Sequence, residues 1–151
     1  MNLPYAASSI VLCLAALALV PAEAQAKGPK PTKFDDIKFD IEKDGEFKPE
    51  MLTEQIKALN NEDIAIRGYI LPNSVLKQTG IKQFVLVRDN QECCFGPGAA
   101  LYDCIIVEMT EKHSASFTTR PVTVEGRFTI EEYKFGDKVL AIYHLDGVKV
   151  K

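Results

Sequence analysis

The 151-residue sequence contains no tryptophan, only two histidines and only four cysteines. His113 and His144 stand far apart and in no H-E-x-x-H pattern, so a zinc-hydrolase signature is absent. P-loop, G-x-G-x-x-G and Ser-His-Asp patterns are missing too, which removes the common nucleotide-binding and hydrolase readings. Neither sign of charge is in excess: 18 Lys+Arg face 21 Asp+Glu, a net charge of −3. Without a basic surplus, neither a dedicated nucleic-acid binder nor an anionic-membrane binder is expected. Long hydrophobic runs are also lacking. The longest, residues 10–20 (IVLCLAALALV), is well short of the roughly 20 residues a membrane helix needs. Otherwise 46% hydrophobic and 26% charged residues describe one ordinary domain with enough length to bury a core.

The short run has another use. Pro21 follows it, and then small residues at Ala22-x-Ala24 and Ala24-x-Ala26, the spacing of a signal-peptide cleavage site. Residues 1–26 therefore read as a signal peptide cut after Ala24 or Ala26. The second cut is favoured, because Lys27 opens a polar stretch. The expected product is exported, periplasmic or secreted, with no membrane span once the signal is removed. Residues 27–33 read as a flexible Pro- and Lys-rich linker, and residues 34–151 as a single domain.

Within that domain, Phe34, Ile37, Phe39 and Ile41 are expected to lie on the main body through a short turn or strand. Residues 49–59 (PEMLTEQIKAL) predict a helix. Pro49 suits a first helical position, Leu52, Ile56 and Leu59 form one apolar stripe, and Asn60-Asn61 supplies the stop. After it the period changes to two. Five strands are expected, around residues 64–71, 84–88, 104–109, 122–131 and 139–145. Ile64-x-Ile66-x-Gly68-x-Ile70 matches Val122-x-Val124-x-Gly126-x-Phe128, and a glycine inside a strand marks a bulge or a bend. The expected fold is mainly β: a five-stranded, OB-like antiparallel barrel with one N-terminal helix, the alternative being an open α+β sheet. Arg67, Arg88 and Arg127 alternate outward, and ordinary pairing with Glu125 and Glu131 is favoured over an anion patch.

One stretch departs from ordinary composition. Residues 89–103 (DNQECCFGPGAALYD) are long for a connection between strands, so the loop is either functional or partly structured, with a single helical turn near residues 99–102. Cys13 leaves with the signal, so Cys93, Cys94 and Cys104 remain in an oxidising compartment. Three pairings exist, 93–94, 93–104 and 94–104. The adjacent pair is strained, since neighbouring Cα atoms lie about 3.8 Å apart and bridges favour about 5.5 Å. A disulfide stapling the loop to the next strand is one reading. A thiolate site for a zinc or copper ion at Cys93, Cys94 and Cys104 is a second. Thiol redox chemistry is a third, without a C-x-x-C motif behind it. Glu92, Phe95, Gly96 and Pro97 are candidate binding-loop residues. Asp89, Glu92 and Asp103 flank the loop as carboxylates that could help a cation. His113 reads as solvated, and His144 as a core or rim residue.

The order Gly68-Tyr69-Ile70-Leu71-Pro72, then Phe84-Val85-Leu86-Val87, then Cys93-Cys94-Phe95-Gly96-Pro97 resembles the domain-of-unknown-function family 3299. The resemblance spans residues 64–109, and more loosely the final strands. It implies a small exported bacterial protein. Family members that carry a cysteine followed two residues later by histidine and then prolines imply a metal site at Cys93. Here Phe95 holds the histidine place, with Cys94 or Cys104 as replacement ligand. The resulting expectation is a non-enzymatic binding or accessory protein of the cell envelope, linked to metal handling or to a transport component, with the loop between residues 93 and 104 as its site. A thiol-based redox protein and a purely structural interaction module are the rivals.

Overall fold

Strand formation follows the period-two pattern, with one face of each strand turned to a common core. A computed structural model of the chain describes residues 28–42, 45–89 and 100–151. Six strands make one sheet: β1 (Lys30–Thr32), β2 (Glu62–Ile70), β3 (Gln83–Val87), β4 (Cys104–Met109), β5 (Val122–Phe135) and β6 (Lys138–Val150). Their order is β1-β2-β3-β4-β6-β5, and a further ladder joins β2 to β5. Strands β2, β3, β4, β6 and β5 therefore close a ring of pairings, which the open-sheet alternative lacks. The fold is mainly β, as expected.

Three features differ from the sequence reading. The ring is not wholly antiparallel, because β4 runs parallel to β6 from Ile106↔His144 to Met109↔Gly147. A sixth strand falls in the expected linker: Lys30–Thr32 pairs in parallel with Ile64–Ile66. Thr32 is buried there, and its hydroxyl donates to the Lys30 carbonyl at 3.1 Å. Composition alone marks Pro31 as linker, yet proline is tolerated at a sheet edge, where its missing N–H faces no partner. The expected N-terminal helix is broken. Pro49–Met51 is a 3-10 turn, Leu52 is extended, and α1 is the single turn Glu54–Lys57. Thr53 causes the restart, since its side-chain oxygen accepts the Ile56 N–H at 3.3 Å, an N-cap that needs extended backbone. The expected stripe survives the break, with Leu52, Ile56 and Leu59 all buried. Asn61 takes φ +65° and ends the segment, donating its N–H to the Phe128 carbonyl.

The two matching glycine strands are neighbours. β2 and β5 pair antiparallel with Ile64↔Gly126, Ile66↔Val124 and Gly68↔Val122 in register. Both glycines sit where the chain is crowded. A Cβ on Gly126 would lie 2.2 Å from the Asp146 carbonyl oxygen, and the β5–β6 register shifts at that point. A Cβ on Gly68 would lie 2.6 Å from the Val87 oxygen. At Gly126 the shift marks a bulge in β5, and at Gly68 β2 passes from its ladder with β5 to its ladder with β3. Inside the ring, Phe84, Leu86, Ile105, Val107, Phe128 and Tyr143 pack with the N-terminal Phe34, Ile37 and Phe39. The Tyr143 hydroxyl donates to the Ile37 carbonyl at 2.7 Å and so ties the N-terminal turn to β6. Burial pushes that phenol well above its ordinary pKa.

Candidate functional site

Strands β3 and β4 break the inside-outside alternation. Phe84, Leu86, Ile105 and Val107 face the ring interior, yet Val85, Val87, Cys104 and Ile106 on the opposite face are also buried. These outward residues form a second apolar cluster with Leu71 and Ala141. Next to the cluster lies an open hollow of about 440 Å³. Its floor is Val85 and Ile106, with the exposed Gln83 at its mouth. Leu71, Asn73 and Ser74, from the start of the β2–β3 connection, line one side, and Tyr133, Leu140 and Ala141 of the β5–β6 hairpin line the other.

Local structure holds each wall. Pro72–Ser74 is a 3-10 turn that begins on a proline. The Ser74 hydroxyl donates to the Leu71 carbonyl at 2.6 Å and accepts the Val85 N–H at 3.0 Å, clasping the connection to β3. The opposite wall is a long hairpin. Its turn follows Phe135 and precedes Lys138, and Gly136 takes φ +61°, a conformation that a tight hairpin assigns to glycine.

The cysteine strand joins this face. Cys104 opens β4, is buried in the outer cluster, and its Sγ lies 3.8 Å from the Leu101 carbonyl and 3.9 Å from that of Leu140. The root of the cysteine loop is clasped. Arg88 donates its backbone N–H to the Asp103 carbonyl, and its Nε lies 3.0 Å from an Asp103 carboxylate oxygen. Leu101–Asp103 forms a 3-10 turn close to the expected helical one. Cys93, Cys94, Glu92, Phe95, Gly96 and Pro97 lie outside the described residues. So do the expected signal peptide, residues 1–26, and the cleavage positions. No disulfide is found among the described residues.

The remaining candidates are dispersed. His113 is exposed, with Nδ1 2.8 Å from the Thr110 hydroxyl. His144 is half-buried within β6, paired on both sides, and lies between Glu108 at 3.8 Å and Asp146 at 3.7 Å. No group of three or more His, Cys, Asp or Glu is placed to hold a metal among the described residues. The arginine expectation needs correcting. Arg127 pairs bidentately with Asp63, at 3.0 and 2.9 Å, because the two stand directly opposite in the β2–β5 ladder. The guanidinium holds the Asp63 carboxyl below its usual pKa. Glu125 instead pairs with Lys151, and Arg88 with Asp103 and Asp35. Among the described residues, no helix is long and apolar enough to cross a membrane.

The hollow has no motif behind it, so pattern reading misses it. One signal does exist: Phe84-Val85-Leu86-Val87 and Cys104-Ile105-Ile106-Val107 are unbroken apolar runs, and such a run means that both faces of a strand are covered.

No curated protein matches the chain. Among solved structures, the crystal structure of a DUF3299 family protein from Pseudomonas aeruginosa PAO1 is similar, with a TM-score of 0.57 at 16% sequence identity. The alignment covers 83% of this chain and 96% of that one, which is a likeness of fold. The family model described as "Protein of unknown function (DUF3299)" matches residues 17–151, a range that includes the motifs of residues 64–109, and the chain belongs to that family.

Proposed function

We propose that this is an exported, non-enzymatic binding protein of the cell envelope, an accessory to transport, built on an OB-like barrel. It takes its ligand on the outer face of β3 and β4. The observation that carries the reading is the hollow on that face, concave, mainly apolar and edged by a few polar groups, as small-ligand sites are. Support for the OB-like fold comes from the closed ring and its parallel β4–β6 contact. In OB folds the ligand lies on the second and third strands, between the first-to-second and fourth-to-fifth connections. Counted round the ring, those are β3, β4, the β2–β3 connection and the β5–β6 hairpin, which together line the hollow. OB folds also take nucleic acid, but a chain of net charge −3 whose hollow offers no described cation is poorly suited to phosphates. The metal-handling part of the reading stands on Cys93, Cys94 and Cys104.

The test is to express the full chain in a Gram-negative host and to recover the periplasmic fraction. Native mass spectrometry then follows, without reductant or chelator. The expected result is a processed chain starting at Gln25 or Lys27 and carrying a bound small molecule. An unprocessed cytoplasmic chain, or a processed chain that never carries a ligand, overturns the proposal. A retained zinc or copper ion that disappears in Cys93→Ser assigns the cysteine loop to metal handling.

A further inference from the structure

The hollow differs from the rest of the surface in its chemistry. Charged residues make up 26% of the chain, yet none of the described residues lining the hollow is charged. Its polar groups are of one kind. The Asn73 and Gln83 amides and the Tyr133 phenol are neutral, lie on exposed residues at the mouth, and can each donate and accept. The Ser74 hydroxyl is already engaged at both ends, with Leu71 and Val85, so it shapes the wall and is not left to bind. Beneath the mouth the buried Leu71, Val85, Ile106 and Ala141 present only aliphatic surface.

That arrangement discriminates by charge. An ion seated on the aliphatic floor loses its hydration and meets no counter-charge. An aliphatic group loses nothing by entering, and gains from its area removed from water. A neutral head at the mouth keeps hydrogen bonds with the amides or the phenol. The volume, about 440 Å³, lies at the small-molecule end of binding cavities.

We propose that the hollow binds an uncharged small amphiphile, its aliphatic body on the β3–β4 floor and a neutral hydrogen-bonding head between Asn73, Gln83 and Tyr133. The proposal takes from the functional reading only that this face binds a ligand.

The experiment uses the mature chain and the neutral, polarity-sensitive dye Nile red, with competition by 1-octanol, octanoate and octylammonium at equal ionic strength. The dye is expected to brighten and shift to the blue. Octanol should displace it at concentrations at least about tenfold below those needed with either ion. Gln83→Trp fills the hollow from an exposed position and should weaken dye binding by about tenfold or more with the melting temperature unchanged. Asn73→Trp repeats this from the other wall, should the first variant fold poorly. Leu76→Ser removes a fully exposed side chain outside the lining and should change nothing. If octanoate or octylammonium competes as well as octanol, the ligand class is wrong while the site stands. If the Trp variants bind the dye normally, or Leu76→Ser abolishes binding, the site is wrong. Concentration-dependent dimerisation lost in Gln83→Trp would make the occupant a second copy and overturn the proposal. A charged ligand recovered from the periplasm and lost in Gln83→Trp would overturn this class and leave the binding function intact.

Discussion

Replacing Tyr143 by Phe removes one oxygen from the centre of the molecule. Tyr143 and Ile37 are both fully buried, and the phenol donates to the Ile37 carbonyl at 2.7 Å across 106 residues of sequence. The phenylalanine ring keeps the packing against Phe128, whose centroid lies 5.2 Å away. The variant therefore isolates the hydrogen bond. Losing a donor to a buried carbonyl costs about 1–3 kcal/mol, because water cannot replace it there. Urea unfolding followed by circular dichroism should show a lower midpoint with an unchanged slope. Tyr133→Phe is the control. It is about half exposed, and its loss should stay within about 0.5 kcal/mol. The pH dependence adds a second check. Burial raises the folded-state pKa of Tyr143, so its stabilisation is complete below the unfolded-state value near 10 and is lost as pH rises above it. The gap between wild type and Tyr143→Phe should therefore narrow above about pH 10. A midpoint equal to that of Tyr133→Phe, or a gap that stays constant through that range, would refute the reasoning.

Two further outcomes follow from the ring. Gly126→Ala places a methyl 2.2 Å from the Asp146 carbonyl oxygen, and backbone on both sides of a bulge cannot rotate away. A loss of about 1–3 kcal/mol or more is expected in the same unfolding assay, and a change within about 0.5 kcal/mol would show that the bulge is not rigid. Asp63→Asn tests the β2–β5 ion pair. Arg127 lowers the Asp63 pKa, so the pair's contribution is present above the ordinary carboxylate value near 4 and is lost as pH falls through the lowered one. The melting temperatures of wild type and variant, measured at low salt, should differ at neutral pH and converge in acid; parallel curves would count against the pair.

How much of this was legible in the sequence depends on the range of the interaction. The five strands were readable because their signals are local: β2 and β5 alternate, each recording which side is wet, and β3 and β4 are short apolar, β-branched runs. The Leu52, Ile56 and Leu59 stripe was readable for the same reason. The continuity of the helix was not, because the Thr53 side chain competes for the backbone and breaks the turn. β1 was hidden because three residues of Lys-Pro-Thr hold no period, and only the edge of β2 makes them a strand. The Asp63–Arg127 pair needed the ladder register, which no single strand contains. Cys104 was singled out for its chemistry, and the structure adds that it belongs to the buried outer face of β4.

The sequence by itself determined the family, the mainly β character, the five principal strands and the two glycines within them. Each is written in neighbouring residues, as a motif or as a period. Only the tertiary structure decided that the ring closes through β2 and β5, that β4 runs parallel to β6, and that a hollow with no charge among its described lining residues lies outside β3 and β4. Those features arise where segments distant in the chain meet. The hollow draws on the β2–β3 connection, on β3 and β4, and on the β5–β6 hairpin, and its lining of uncharged described residues exists only once closure brings the three together.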